Sequence, residues 1–150
     1  MAEIGREIAK YPADQKKSAV MAALRIAQEE HGFLTQDLIE HVAGILEIPP
    51  VRAMEVATFY SMYDHAPVGR HKISVCTNIS CMICGSDDVV DYLKQRLGVG
   101  LKEVTPDKRF SIEEVECLGA CGGAPMMQIG KQYYENLTPQ RIDEILEGLE

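Results

Sequence analysis

The chain has 150 residues, a formal net charge of −8 and a 46% hydrophobic fraction. That length allows one domain or two small ones with a core of their own, so neither disulfide stapling nor disorder is expected. The acidic balance argues against nucleic acid and anionic lipid as partners, since both reward basic patches.

No apolar run approaches the roughly 18 residues of a membrane span. The start, Met1-Ala2-Glu3-Ile4-Gly5-Arg6, lacks the basic and apolar regions of a secretory signal. A cytoplasmic location without direct membrane insertion is therefore expected.

Residues 14–30 read as an amphipathic helix with Val20, Leu24 and Ala27 on one face, stopped by His31-Gly32. Thr35 is the predicted N-cap of a second helix, in which Leu38, Ile39, Val42, Ile45 and Leu46 recur at helical spacing. Ile48-Pro49-Pro50 ends it and opens a third helix, predicted to bury Val51, Met54, Ala57 and Phe59. Such a pair of short helices admits a helix-turn-helix reading. Yet Val51–Tyr63 holds one basic residue, Arg52, against one acid, Glu55. A small helical bundle that docks on a partner is the better expectation.

Turn residues around Asp64–Gly69 place a domain boundary near residue 70, giving a helical domain at 1–70 and a second domain at 71–150. In the second, His71–Cys76 alternates like a strand. Ser86 is predicted to cap a helix carrying Val89, Val90, Leu93 and Leu97, closed by Gly98. Phe110–Glu116 reads as a strand, Met126–Tyr134 as a hairpin turning at Gly130-Lys131, and Thr138-Pro139 as the start of a final helix. This order predicts an α/β fold with a mixed sheet covered by helices. Met126-Met127 and Tyr133-Tyr134 are expected to be packing residues. His31, His41, His65 and His71 are scattered without ligand spacing.

All five cysteines fall in two clusters, Cys76-x4-Cys81-x2-Cys84 and Cys117-x3-Cys121. Clustered thiols in a cytoplasmic chain indicate metal binding more than crosslinks. Zinc is one candidate, for the intervals admit it, but the glycines at 85, 119, 122 and 123 suit backbone N–H groups aimed at an iron–sulfur cluster. Cys81-Met82-Ile83-Cys84 is formally a dithiol redox motif, which would leave the other three cysteines idle. Two iron–sulfur schemes remain open on spacing. One is a plant-type run of Cys76, Cys81 and Cys84 with a distant fourth ligand. The other takes two ligands from each cluster and leaves Cys84 free.

The Cys76-x4-Cys81 pair, Glu116-Cys117-Leu118-Gly119-Ala120-Cys121 and Ala124-Pro125-Met126-Met127 resemble the thioredoxin-like [2Fe–2S] ferredoxin family. Within it, the chain is similar to the small iron–sulfur subunits of NADH-oxidising modules such as that of respiratory complex I (NADH:quinone oxidoreductase). His31-Gly32-Phe33-Leu34, Ile48-Pro49-Pro50 and Val56-Ala57-Thr58-Phe59-Tyr60 extend the resemblance into the helical half.

The resemblance implies a thioredoxin-like domain in which Cys76, Cys81, Cys117 and Cys121 hold one [2Fe–2S] cluster, with Cys84 outside the family pattern. It also implies a flavoprotein partner that binds NADH and FMN, and a place at the membrane periphery through the assembled complex. The chain has no G-x-G-x-x-G or P-loop of its own for a nucleotide, so catalysis by the isolated chain is not expected. Equivalent subunits of an NAD-linked hydrogenase or a formate dehydrogenase are the alternative. A zinc-stabilised helix-turn-helix binding protein is the competitor of a different class. Negative charge on the cluster and on the protein predicts a low reduction potential.

Overall fold

The computed structural model describes residues 2–149, and the chain divides into two compact units, Met1–Pro67 and Val68–Glu150.

The first unit is helical. It contains α1 (Ala2–Ile8), a 3-10 segment (Ala13–Ala19), α2 (Val20–His31), α3 (Gln36–Leu46) and α4 (Pro50–Phe59). Helix α2 begins later than the periodicity of 14–30 suggests. Residues 13–19 are mostly polar and bury only Ala19, so packing does not select a regular α-helix there. Helix α1 is too short for its period to stand out in the sequence. At α3 the Thr35 hydroxyl accepts from the Leu38 N–H at 3.2 Å, as a capping threonine should.

Helix α4 corrects one expectation. It buries Ala53 and Ala57, whereas Val51 is 59% and Phe59 is 80% exposed. Residues two apart on a helix face about 200° away from each other, so the Ala53/Ala57 stripe turns both large side chains outward. The core of this unit is built from Leu24, Leu34, Ile39, Val42 and Leu46. Its C-terminal segment is tied down by Gln28, which donates to the Met62 carbonyl at 2.9 Å and accepts from the Asp64 N–H at 2.7 Å.

The second unit holds β1 (His71–Cys76), α5 (Ile79–Ile83), α6 (Ser86–Leu97), β2 (Phe110–Val115), β3 (Met127–Ile129), β4 (Gln132–Tyr134) and α7 (Pro139–Gly148). The sheet order is β2-β1-β3-β4, with β1 and β2 parallel and the other neighbours antiparallel. This is the mixed sheet the sequence indicates. Ile73, Val75, Ile112, Met127 and Ile129 meet Val89, Val90 and Leu93 of α6 and Ile142, Ile145 and Leu146 of α7 in one core. The two helices share that face, for the Tyr92 hydroxyl of α6 donates to Asp143 of α7 at 2.8 Å. Strand alternation turns Lys72, Ser74 and Glu113 to the opposite face, where Lys72 pairs with Glu113 at 2.9 Å.

Ser86 does not cap α6. Gly85, at φ +91°, holds the junction, and Ser86 is the first helical residue with its hydroxyl fully buried and without a hydrogen-bond partner. Thr138 does cap α7, accepting from the Arg141 N–H at 3.2 Å.

Candidate metal centre

Three connections converge at one end of the sheet. Strand β1 ends on Cys76, and in the parallel register Cys76 lies opposite Val115, the last residue of β2. Cys117 follows two residues later, so the two cysteine loops leave neighbouring strands side by side. The approach to β3 closes the third side, where the Cys76 N–H donates to the Met126 carbonyl at 3.2 Å. The Ala124–Pro125 peptide just before it is cis. Cys76, Cys81 and Met126 are buried together beneath Leu118, Ala120 and Ala124, contributed by the second loop and its continuation.

Cys81 is placed by α5, a single helical turn. Asn78 starts it by accepting from the Ile79 N–H at 2.8 Å, and the turn presses Cys81 inward to 1% exposure. Cys76 and Cys81 lie in one buried cluster with Met126, and the Cys76 thiol donates to the Glu116 carbonyl at 3.8 Å. Burial opposes ionisation of Cys76, but the backbone N–H groups of Asn78 and Leu118 and the Cys81 thiol outweigh it and hold its pKa below the ordinary thiol value. Burial pushes the Cys81 thiol up to about 11, with the neighbouring Cys76 and the charge of Cys121 adding to it. The Cys76 sulfur is thus the more readily ionised of the two.

The structure brings Cys76 and Cys81 into contact, sets Cys121 within electrostatic reach of Cys81, and leaves Cys117 exposed at the head of the second loop. Gly119 adopts φ +74° in the middle of that loop, a conformation that glycine takes without strain. Cys84, the residue that follows α5, is exposed. Among the described residues, no three His, Cys, Asp or Glu side chains converge as around a single ion. Of the scattered histidines, His65 contacts the Ala57 carbonyl at 3.0 Å and His71 packs on Phe110.

The donor set suits a [2Fe–2S] cluster. Soft thiolate ligands from two adjacent loops, with backbone N–H groups already on the Cys76 sulfur, match what an iron–sulfur cluster needs from its protein.

Tyr133 is the site residue that pattern reading misses. The pattern has it pack in its strand, as Met127 does in the sheet core, while Met126 is buried against Cys76 and Cys81. Instead it is 47% exposed and donates to the Leu118 carbonyl at 2.8 Å, between Cys117 and Cys121. A side chain bonding to a distant carbonyl leaves no signature in the sequence.

A small α/β domain with two cysteine loops at one end of a mixed sheet, preceded by a helical unit, is the class that fold and site define. The chain belongs to the thioredoxin-like [2Fe–2S] ferredoxin family, whose model matches residues 4–150. It is 48% identical over 143 residues to the E subunit of the NADH-quinone oxidoreductase of Rickettsia bellii, covering 95% of this chain and 86% of the relative. To an E subunit of the Rhizobium meliloti NADH-quinone oxidoreductase it is 46% identical over 146 residues, with 97% and 86% covered. In fold, the chain is similar to part of an NAD+-reducing [NiFe]-hydrogenase, with a TM-score of 0.71 and 20% identity over 85% of this chain. It spans 22% of that longer chain.

Proposed function

We propose that this protein is an electron-transfer subunit of an NADH:quinone oxidoreductase, carrying one [2Fe–2S] cluster on Cys76, Cys81, Cys117 and Cys121 beside the FMN of a partner flavoprotein. The observation that carries the reading is the pair of cysteine loops leaving the adjacent ends of parallel β1 and β2, in a chain whose relatives at 43–48% identity are NADH-quinone oxidoreductase subunits.

Bound there, a [2Fe–2S] cluster supplies a centre that takes up and returns one electron at a time. The chain's own residues hold and tune that centre. Cys76 and Cys81 supply the buried, water-excluded ligands, walled by Met126 and Leu118. The backbone N–H groups of Asn78 and Leu118 at the Cys76 sulfur, and of Met126 at Cys81, offset negative charge on the thiolates. Cys117 and Cys121 lie on the exposed side, the side open to a flavin-bearing partner.

A mononuclear zinc site would need its ligands gathered around one point, whereas in a dinuclear cluster each iron takes two thiolates. Two cysteines in each of two loops that leave adjacent strands suit the second. No described helix is long and apolar enough to cross a membrane. Attachment at the membrane periphery through the assembled complex accords with that, and the helical unit is the further surface we assign to docking.

Affinity purification of the tagged chain from its own cells tests the reading. Recovery of an FMN-containing, NADH-oxidising partner is expected. Recovery with hydrogenase or formate dehydrogenase subunits would move the assignment to that relative. Recovery of no flavoprotein would overturn it.

A further inference from the structure

The second cysteine loop is the less enclosed half of the site. Cys117, Gly119 and Cys121 are exposed, and no heavy atom lies within 4 Å of the place a Cβ on Gly119 would occupy. Packing does not fix the middle of this loop. Tyr133 reaches it from β4, its hydroxyl donating to the Leu118 carbonyl at 2.8 Å. On its other side, Leu118 packs against the buried cluster of Cys76, Cys81 and Met126. Leu118 is therefore held by a tyrosine at one end and touches a candidate ligand at the other.

We propose that Tyr133 is a positioning residue for the cluster site, keeping Leu118 packed over Cys76 and Cys81 and so coupling the second cysteine loop to the first. The inference rests on the cluster reading above. Tyr133 is well placed for the task because it stands on a paired strand, opposite Gln128 of β3. Ordered strands hold a group in place more firmly than loops do. The same segment grips the far end of the loop, where the Asn136 N–H donates to the Gly123 carbonyl at 2.7 Å. Glu135 also fills the space a side chain on Gly123 would need. The Leu118 N–H also helps hold the Cys76 thiol below its ordinary pKa, and a donor that stabilises negative charge on a ligand sulfur favours the reduced state. Without the hydroxyl, Leu118 is free to turn away and that donor weakens.

The test uses the full chain reconstituted anaerobically with iron and sulfide, as wild type, Tyr133→Phe and Tyr92→Phe. The last deletes a hydroxyl bonded to Asp143 in the α6–α7 contact and serves as the control. Tyr133→Phe is expected to bind as much iron as wild type, with a lower midpoint potential and altered EPR g-values. Iron loss to a chelator should be on the order of fivefold faster, the worth of one net hydrogen bond. Tyr92→Phe should match wild type. A Tyr133→Phe protein indistinguishable from wild type in all three readouts would overturn the inference and leave the cluster reading standing. So would one that fails to fold, since the hydroxyl would then serve the fold. If wild type itself takes up no cluster, the cluster reading fails. The positioning contact is then read by hydrogen exchange at residues 118–120 of the metal-free protein, where faster exchange in Tyr133→Phe supports it and unchanged exchange refutes it.

Discussion

Cys76 and Cys81 share one buried cluster, inside a wall formed by Met126 and the second cysteine loop. Two residues that the sequence separates by a strand end and a helical turn are thus joined before any metal enters. Cys84, the next cysteine in the spacing pattern, faces out.

That contrast predicts different outcomes at the two cysteines. Cys81→Ala should remove the iron bound by the reconstituted protein, while Cys84→Ala should leave iron content and visible spectrum unchanged. Iron per chain and absorbance after desalting check both. Loss of iron from Cys84→Ala as well as from Cys81→Ala would restore the plant-type run of ligands.

Gly69 is fixed by close approach. A Cβ there would stand 2.3 Å from the Phe110 carbonyl carbon and 2.6 Å from the Ser111 nitrogen, while the Gly69 N–H donates to the Ser111 hydroxyl at 3.1 Å. Both obstructing atoms are backbone and cannot rotate aside. Gly69→Ala should cost about 2 kcal/mol or more, read from urea unfolding.

Two hydroxyls at helix starts should behave in opposite ways. Thr35→Ala removes the cap on α3 and is expected to cost about 1 kcal/mol. Ser86→Ala removes a buried hydroxyl that has no partner, so stability should hold or rise. Denaturant midpoints of the two variants, measured side by side, separate these outcomes.

Asp143 gives the α6–α7 contact a pH dependence. The Tyr92 hydroxyl, then Arg96, holds its pKa below the ordinary carboxylate value of 3.8. A depressed folded-state pKa contributes stability above the unfolded value and loses it as pH falls through the folded one. Asp143→Asn should therefore be less stable than wild type at neutral pH, with the gap closing below about pH 4. The carboxylate is solvent-exposed, so added salt should shrink the gap. A gap that widens in acid would contradict the assignment.

The elements that were legible are the ones with length and period. Residues 36–46 repeat apolar side chains over three turns, and 71–76 alternate cleanly, so α3 and β1 could be read directly. Helix α5 could not be. Five residues make barely more than one turn, too few for a period to emerge, yet that turn buries Cys81. At Ser86 the pattern misled, because a serine before an apolar run looks like a cap while Gly85 takes the left-handed position at the junction. At α4 the small Ala53 and Ala57 define the buried stripe, and the larger Val51 and Phe59 draw attention to the wrong face. The cysteine spacing points to a metal centre. Which thiols meet depends on strand register, and register is a property of the fold.

The measurement that bears most directly on the central claim is an EPR spectrum of the anaerobically purified protein, before and after dithionite, with iron, acid-labile sulfide and zinc assayed on the same sample. About two irons and two sulfides per chain are expected, with a red-brown colour, no signal when oxidised and a rhombic S = 1/2 signal on reduction. A colourless protein with one zinc per chain, still silent after reconstitution with iron and sulfide, would contradict that claim.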